Sequence, residues 1–346
     1  MATGTEVTQS PGGGEPPPPP PPATRWASLR SRMSHALRPW HNANRMARGF
    51  VLTGTLITLM FLFMAIFADQ IAPYEQDQYR IQTGVDAEGE PVFDEDIPRR
   101  SPPTAGFPFG TTSARFDVFS RIVHGARIAF GVVVLSTVLA MGVGVPLGLF
   151  AGYRGGRIDR VLVFLMDAVY AFPPLILAII FAFVLQQYMS PGMPSAAVAV
   201  GMTYIPQYFR VVRNHTLSIK EEVFVEAARS LGAPPRTVVT RYVFFNVVQS
   251  VPVIFTLNAA DGVLTLAALG FLGFGVQYPT AEWGLDVSRA VTDAVSGFWW
   301  TAFFPGVAIT LLVVGLTLVG EGLNDIVNPL LRVKGFQGEV ETREDA

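Results

Sequence analysis

Residues 49–68 run for twenty positions without a charged side chain. A helix needs about 20 apolar residues to cross the hydrocarbon core of a bilayer. That one stretch commits the chain to lipid as a solvent, and five more like it follow. They cover residues 128–153, 161–186, 195–212, 242–272 and 298–320. Two carry an internal acid, Asp167 in the third and Asp261 in the fifth. Only 15% of the residues are charged and 50% are hydrophobic, against about 25% charged in soluble domains. The expected fold is therefore an all-α polytopic membrane protein with six spans.

The hydrophilic segments set the expected orientation, because lysine and arginine near span ends favour the cytoplasm. Arg45 and Arg48 precede span 1. Arg154, Arg157 and Arg160 lie between spans 2 and 3, and Arg210, Arg213, Lys220, Arg229, Arg236 and Arg241 between spans 4 and 5. The segment between spans 3 and 4 has no basic residue, and that between 5 and 6 has only Arg289. Both termini are thus expected in the cytoplasm. The layout follows: a disordered, proline-rich and basic tail over 1–48, span 1 over 49–68, and an external loop with an amphipathic segment over 69–127. A five-helix core over 128–330 holds a cytoplasmic loop at 213–241, and a second tail covers 331–346.

Several chemistries have no residues to support them. The chain lacks cysteine, and its four histidines, at 35, 41, 124 and 215, are scattered. No His/Asp or His/Glu set appears at ligand spacing, so no catalytic, cofactor or metal site is expected. No G-x-x-x-x-G-K-[ST] occurs, and the only lysines are Lys220 and Lys334. A phosphate-cradling loop needs that glycine-rich turn and its lysine. A net charge of −2 gives no reason to expect nucleic acid.

One cytoplasmic stretch interrupts the membrane pattern, "VFVEAARSLGAPPRTVVTRYVFFN" from Val223 to Asn246. Ser218 and Glu221 have the S-x-x-E spacing of a capping box. Gly232 suits the left-handed position after a helix, and Pro234 and Pro235 forbid continuation. These marks predict a helix over 219–231. Phe224, Ala227, Ala228 and Leu231 fall at i, i+3, i+4 and i+7 and form one apolar stripe. A helix this short is marginal alone in water, so it lies on something. Two readings stand: it rests on its own bundle or the headgroups, or it docks in a groove on a cytoplasmic partner.

The same residues carry a resemblance. Glu226-Ala227-Ala228 followed by Gly232 resembles the EAA loop of the permease subunits of binding-protein-dependent ABC importers. The likeness is closest to the C-type permeases of the dipeptide, oligopeptide and nickel group. The blocks "MDAVYAFPPLILAI", "LGFLGFGVQYPTAEWG" and "FFPGVAITLLVVGLTLVGEGLNDIVNPLLR" look like that group's, in the same order. The resemblance implies a type I importer permease fold with a coupling helix, and it makes Glu222, Phe224, Glu226, Ala227, Ala228, Leu231 and Gly232 the surface on which an ATPase docks. It implies a second, homologous permease, two ATP-binding subunits that hold ATP and magnesium, and an extracytoplasmic binding protein that delivers peptides. The setting it implies is a bacterial or archaeal plasma membrane. Other solutes, such as a nickel chelate, fit the same group, and a secondary transporter or channel is the alternative outside it.

The chain departs from the family pattern at three places. Tyr242, Phe244 and Phe245 stand where the family closes its loop with Ile-x-Leu-Pro. Thr112, Arg115 and Phe116 replace an acid, a glycine and an arginine in the external block, although Gly110, Thr111, Asp117, Ser120 and Arg121 match. Leu266 stands where span 5 often carries a glutamate.

Charges inside spans are functional candidates, so Asp167 and Asp261 are possible pathway residues. Asp167 lies about two turns from Arg160 and either pairs with a basic loop residue or lines a pathway. Asp261 follows Arg241 by 20 residues, about 30 Å along a helix. That spacing puts it near the outer side, where it binds a peptide's ammonium or makes a structural hydrogen bond. Gly142, Gly144, Pro146 and Gly148 predict close helix packing, and Pro173-Pro174 predicts a kink. Arg115, Asp117, Arg121 and Arg127 either meet the binding protein or anchor an interfacial helix.

Overall fold

The computed structural model describes residues 45–85 and 91–327. Most of the expected proline-rich tail and the whole of the second tail, residues 331–346, lie outside the described residues. Among the described residues, nine helices of eight residues or more carry the fold: α1 (Arg45–Ile66), α2 (Val118–Arg154), α3 (Gly156–Tyr170), α4 (Pro174–Leu185), α5 (Met193–Ile219), α6 (Val223–Ser230), α7 (Val251–Phe271), α8 (Trp283–Val295) and α9 (Trp300–Val327). The described part is an all-α polytopic architecture with one addition. Strands β1 (Arg80–Val85) and β2 (Pro91–Asp96) pair antiparallel in the segment before α2, where the sequence predicts only a loop with an amphipathic stretch.

The spans differ from expectation in shape. Among the described residues, four helices, α1, α2, α7 and α9, are long and apolar enough to cross a bilayer, or five spans if the bent pair α3–α4 counts as one. The predicted third span is two helices, α3 and α4, bent by 94° at the break. Pro173 and Pro174 cause it: proline lacks the N–H and blocks the preceding residue from helical geometry. The predicted fourth span, α5, is 27 residues long but less apolar than the other four. Its surface explains the difference. Ala199, Val200, Tyr208, Phe209 and Val212 are all buried in protein, so α5 faces neighbouring helices and tolerates Thr203, Tyr204 and Gln207.

α5 packs along α2 through a glycine ladder. A Cβ on Gly144 would lie 2.7 Å from the Ile205 carbonyl oxygen, on Gly148 2.5 Å from that of Phe209, and on Gly152 2.8 Å from that of Arg213. Small residues four apart let two backbones touch, where van der Waals packing drives association in lipid. Gly142, which the sequence groups with them, has open space around it. α1 and α9 meet in the same way: a Cβ on Gly54 would lie 2.5 Å from the Gly315 carbonyl oxygen. Two apolar cores result. One joins α2, α4, α5, α6 and α7, the other α1, α2, α7, α8 and α9.

α2 begins ten residues before its predicted span, and at 37 residues it measures about 55 Å at 1.5 Å per residue. The extra length is built into a clasp. Asp117 caps the helix, accepting from the Ser120 N–H at 2.8 Å. Arg121, buried, donates to Asp286 at 2.8 Å and to the carbonyls of Gln76 and Pro279. The indole of Trp283 donates to the Ile122 carbonyl at 3.0 Å. Asp117 and Arg121 are both buried and tie the loops together. Arg127 pairs with Asp69 at 3.0 Å and Arg115 with Asp96 at 2.7 Å.

Candidate functional site

The interrupting helix is shorter than its sequence marks suggest. α5 runs on through Ser218 to Ile219, so Ser218 sits in a helix's last turn and caps nothing. The chain then turns over 220–222, and α6 occupies eight residues, Val223–Ser230. The capping-box reading fails because the preceding helix uses those residues first. The C-terminal marks fall as expected. Gly232 has φ +82°, its N–H bonds the Arg229 carbonyl at 2.9 Å, and the Ala233 N–H bonds the Ala228 carbonyl at 3.0 Å. Those two bonds are the Schellman arrangement.

The apolar stripe divides as well. Val225 is fully buried and Ala228 nearly so, three residues apart on one face. Val225 packs into the core that contains Val238 and Val243. Phe224 is 41% exposed, Leu231 88% and Val223 78%; Glu222, Glu226, Ala227 and Gly232 are exposed too. Of the seven residues assigned to docking, Ala228 thus faces inward and six face out. Val225 was missed, although a β-branched residue three before Ala228 is a legible signal. Two neighbours brace α6 from the α2–α3 turn: the Arg229 guanidinium lies over the Tyr153 ring, 5.5 Å from its centroid, and the Lys220 ammonium donates to the Gly152 carbonyl at 3.2 Å.

From α6 the chain enters α7 through a distorted connector. Residues 235–237 form a helical turn, Val238–Val243 a π-helix, Phe244–Val247 an α-turn and Val248–Ser250 a 3₁₀ turn. The aromatic departure lies here. Phe244 packs on the core, while Phe245 is 61% exposed. Leu266, the other departure, is buried among helices.

A second polar group lies at the α3–α4 break. Tyr204 Oη donates to Asp261 Oδ2 at 2.8 Å and lies 2.9 Å from Thr265 Oγ1. Asp261 is exposed and lines a cavity of about 310 Å³ with Tyr170, Phe172, Thr203 and Gln207. It sits midway along α7, ten residues from each end, whereas the count from Arg241 puts it toward one end of its span. The connector explains the shift, because the regular span starts at Val251 and not beside Arg241. Asp167 pairs with Arg210 of α5 at 2.8 Å, and Arg210 stacks on Tyr170, 4.2 Å from its centroid. One turn on, Arg213 grips Asp159. The structure brings Asp261 and Gln207 to one cavity and leaves Asp167 in an ion pair beside it. Tyr204, Gln207 and Arg210, spaced by three on α5, were legible as one polar face and were missed.

At the hairpin end, Glu282 caps α8 by accepting from the N–H groups of Gly284 and Leu285. Burial nevertheless pushes its carboxyl up to about 8, and pushes Asp286 upward too, against the pull of Arg121. No group of three or more potential metal ligands occurs among the described residues.

The comparisons with known proteins agree with this architecture. Residues 144–333 match the family described as binding-protein-dependent transport system inner membrane component. The chain is similar to the glutathione transport system permease protein GsiD of Pectobacterium atrosepticum, 33% identical over 85% of this chain and 92% of that protein. It is 35% identical to GsiD of Escherichia coli O6:K15:H31, over 86% and 92%, and 36% to that of Shigella dysenteriae serotype 1, over the same shares. With the matched region spanning the glycine ladder, α6 and the broken helix, the chain belongs to the binding-protein-dependent transport system inner membrane components, as a multi-pass permease subunit of an ABC importer.

Proposed function

We propose that this permease forms half of a translocation pathway for short peptides, glutathione-like tripeptides among them. A second, homologous permease supplies the other half. Two ATP-binding subunits, which carry the ATP and magnesium, dock on α6 and its counterpart, and an external binding protein delivers the peptide. Both termini then lie in the cytoplasm with α6, and the hairpin end faces outward.

The observation that carries the reading is the outer face of α6. Val225 and Ala228 seat the helix, Arg229 and Lys220 brace it, and Phe224 and Leu231 remain outside the bundle. A helix held firmly from behind with an apolar front is a surface for a partner by the helix-in-groove mode. The substrate class rests on the similarity to glutathione permeases. The chemistry of the importer stays in the ATPase, and this chain converts its closure into motion of α7 through the connector.

Burying a leucine is worth about 1.5–3 kcal/mol, which is roughly 10- to 150-fold in affinity. Leu231→Asp is therefore expected to strip the ATP-binding subunits from the purified complex and abolish peptide uptake at a normal membrane level. Glu226→Lys is expected to do the same. Unimpaired co-purification and uptake in both variants would sink the docking assignment.

A further inference from the structure

We infer that the cavity at the α3–α4 break is a substrate site that takes the ammonium group of a transported peptide, with Asp261 as its counter-charge and Gln207 beside it. The inference rests on the peptide reading above and names residues for it.

The position of Asp261 carries the first step. An exposed carboxylate in the middle of a span cannot face lipid: a central Asp costs about 2.5–3.5 kcal/mol even on insertion scales. Its side of α7 must face a water-filled path or another subunit. The cavity in front of it is about 310 Å³, at the lower end of the range for ligand sites, roughly 300–1,000 Å³.

The lining then sets the sign of the ligand. None of the cavity's residues is basic. Asp261 already accepts one hydrogen bond, from Tyr204. The amide oxygen of Gln207 is buried with no partner, and a buried acceptor left unpaired costs about 1–3 kcal/mol. An exposed carboxylate with capacity beyond the Tyr204 bond, and an unpaired amide oxygen near it, favour a ligand rich in N–H groups. Phe172, 51% exposed, adds an aromatic face of the kind that attracts a cation. The ends of α3 and α4 meet at the break with opposite dipole signs, so they offset each other and leave Asp261 to decide the charge. A primary ammonium pairs with the Asp261 carboxylate, whereas a peptide's carboxylate would be repelled.

The nearby ion pairs support a path that continues along α5. Arg210 with Asp167 and Arg213 with Asp159 step away from the cavity on the Gln207 side of the helix. Each arginine is neutralised by its own acid, so none competes for Asp261.

The test measures uptake of radiolabelled glutathione by cells that make the complete importer. Asp261→Asn keeps the acceptor for Tyr204 but removes the charge. It is expected to lower the maximal rate roughly tenfold or more, with the half-saturation concentration, set by the binding protein, unchanged. Asp261→Glu is expected to keep most of the rate. Gln207→Leu is compatible with lipid and so with insertion; it should reduce the rate about threefold or more. The amount of each variant in the membrane, measured alongside, separates loss of the site from loss of the protein. A rate for Asp261→Asn within about twofold of wild type would overturn the site. So would equal failure of the Asn and Glu variants, or a normal rate for Gln207→Leu. Wild-type cells that take up neither glutathione nor any other short peptide would overturn the peptide reading itself, and this site with it.

Discussion

Gly284 occupies a place where no side chain fits. A Cβ there would lie 1.9 Å from the Ala267 carbonyl oxygen and 2.6 Å from two further Ala267 backbone atoms. Helical backbone near the C-terminal end of α7 cannot step aside as a flexible side chain would. Overpacking typically costs about 1–3 kcal/mol, and contact with backbone puts Gly284→Ala at or above the top of that range. The variant is expected to lower the melting temperature of the purified complex by several degrees, and an unchanged melting curve would remove the claim. Gly142→Ala, in open space, is the matched control. The sequence shows both glycines alike; only the approach of a second backbone tells them apart. Asp261 teaches a related point. Its charge was plain in the sequence, but its place within its helix was not, because counting from Arg241 assumes a regular helix through 242–250 and the regular helix starts at Val251.

At the scale of elements, α6 was legible at its end and illegible at its start. Gly232 and the two prolines stop a helix whatever precedes them. Ser218 and Glu221 form a start signal only if the chain before them is not already helical, and here α5 runs through Ile219. Likewise the stripe from Phe224 to Leu231 is apolar, yet the burial goes to Val225 and Ala228, since the face turned to the bundle is set by the connector that α6 packs against. α8 offers a test of its own. Glu282 caps it while buried, with a carboxyl raised to about 8 from an unfolded value near 4.3. Between those values the folded state holds a proton that the unfolded state releases. Stability from this group is therefore full below about pH 4.3 and lost as pH rises through about 8. Melting curves taken between about pH 5 and about pH 9 should fall more steeply for the wild type than for Glu282→Gln, which mimics the protonated form. Parallel pH profiles would show that Glu282 is not the group responsible.

Across the whole molecule, family and helical class were readable from ordered blocks and span lengths, whereas the geometry of the third and fourth spans was not. α5 carries polar residues because protein surrounds it, and a hydropathy pattern cannot say what surrounds a helix. The lone chain also leaves a carboxylate and a cavity on a face that lipid cannot cover. Made without a second permease, it is expected to fall several-fold in steady-state abundance, as destabilised proteins do under cellular proteolysis, and to recover when the partner is co-expressed. Equal levels in both conditions would mean that the Asp261 face is satisfied within one copy.

The contact between α1 and α9 has a consequence in time. These are the first and last spans of the described chain, and they interlock through Gly54 and Gly315. About 230 residues separate the end of one from the start of the other. At a synthesis rate of about 5–20 residues per second, α1 waits in the bilayer for roughly 10–50 s before its mate leaves the ribosome. Until then its glycine-lined side has only lipid, or the insertion machinery, against it. The bundle cannot close until its last span has been made, so the speed of translation between α1 and α9 sets how long an unfinished permease stands open to the wrong neighbour.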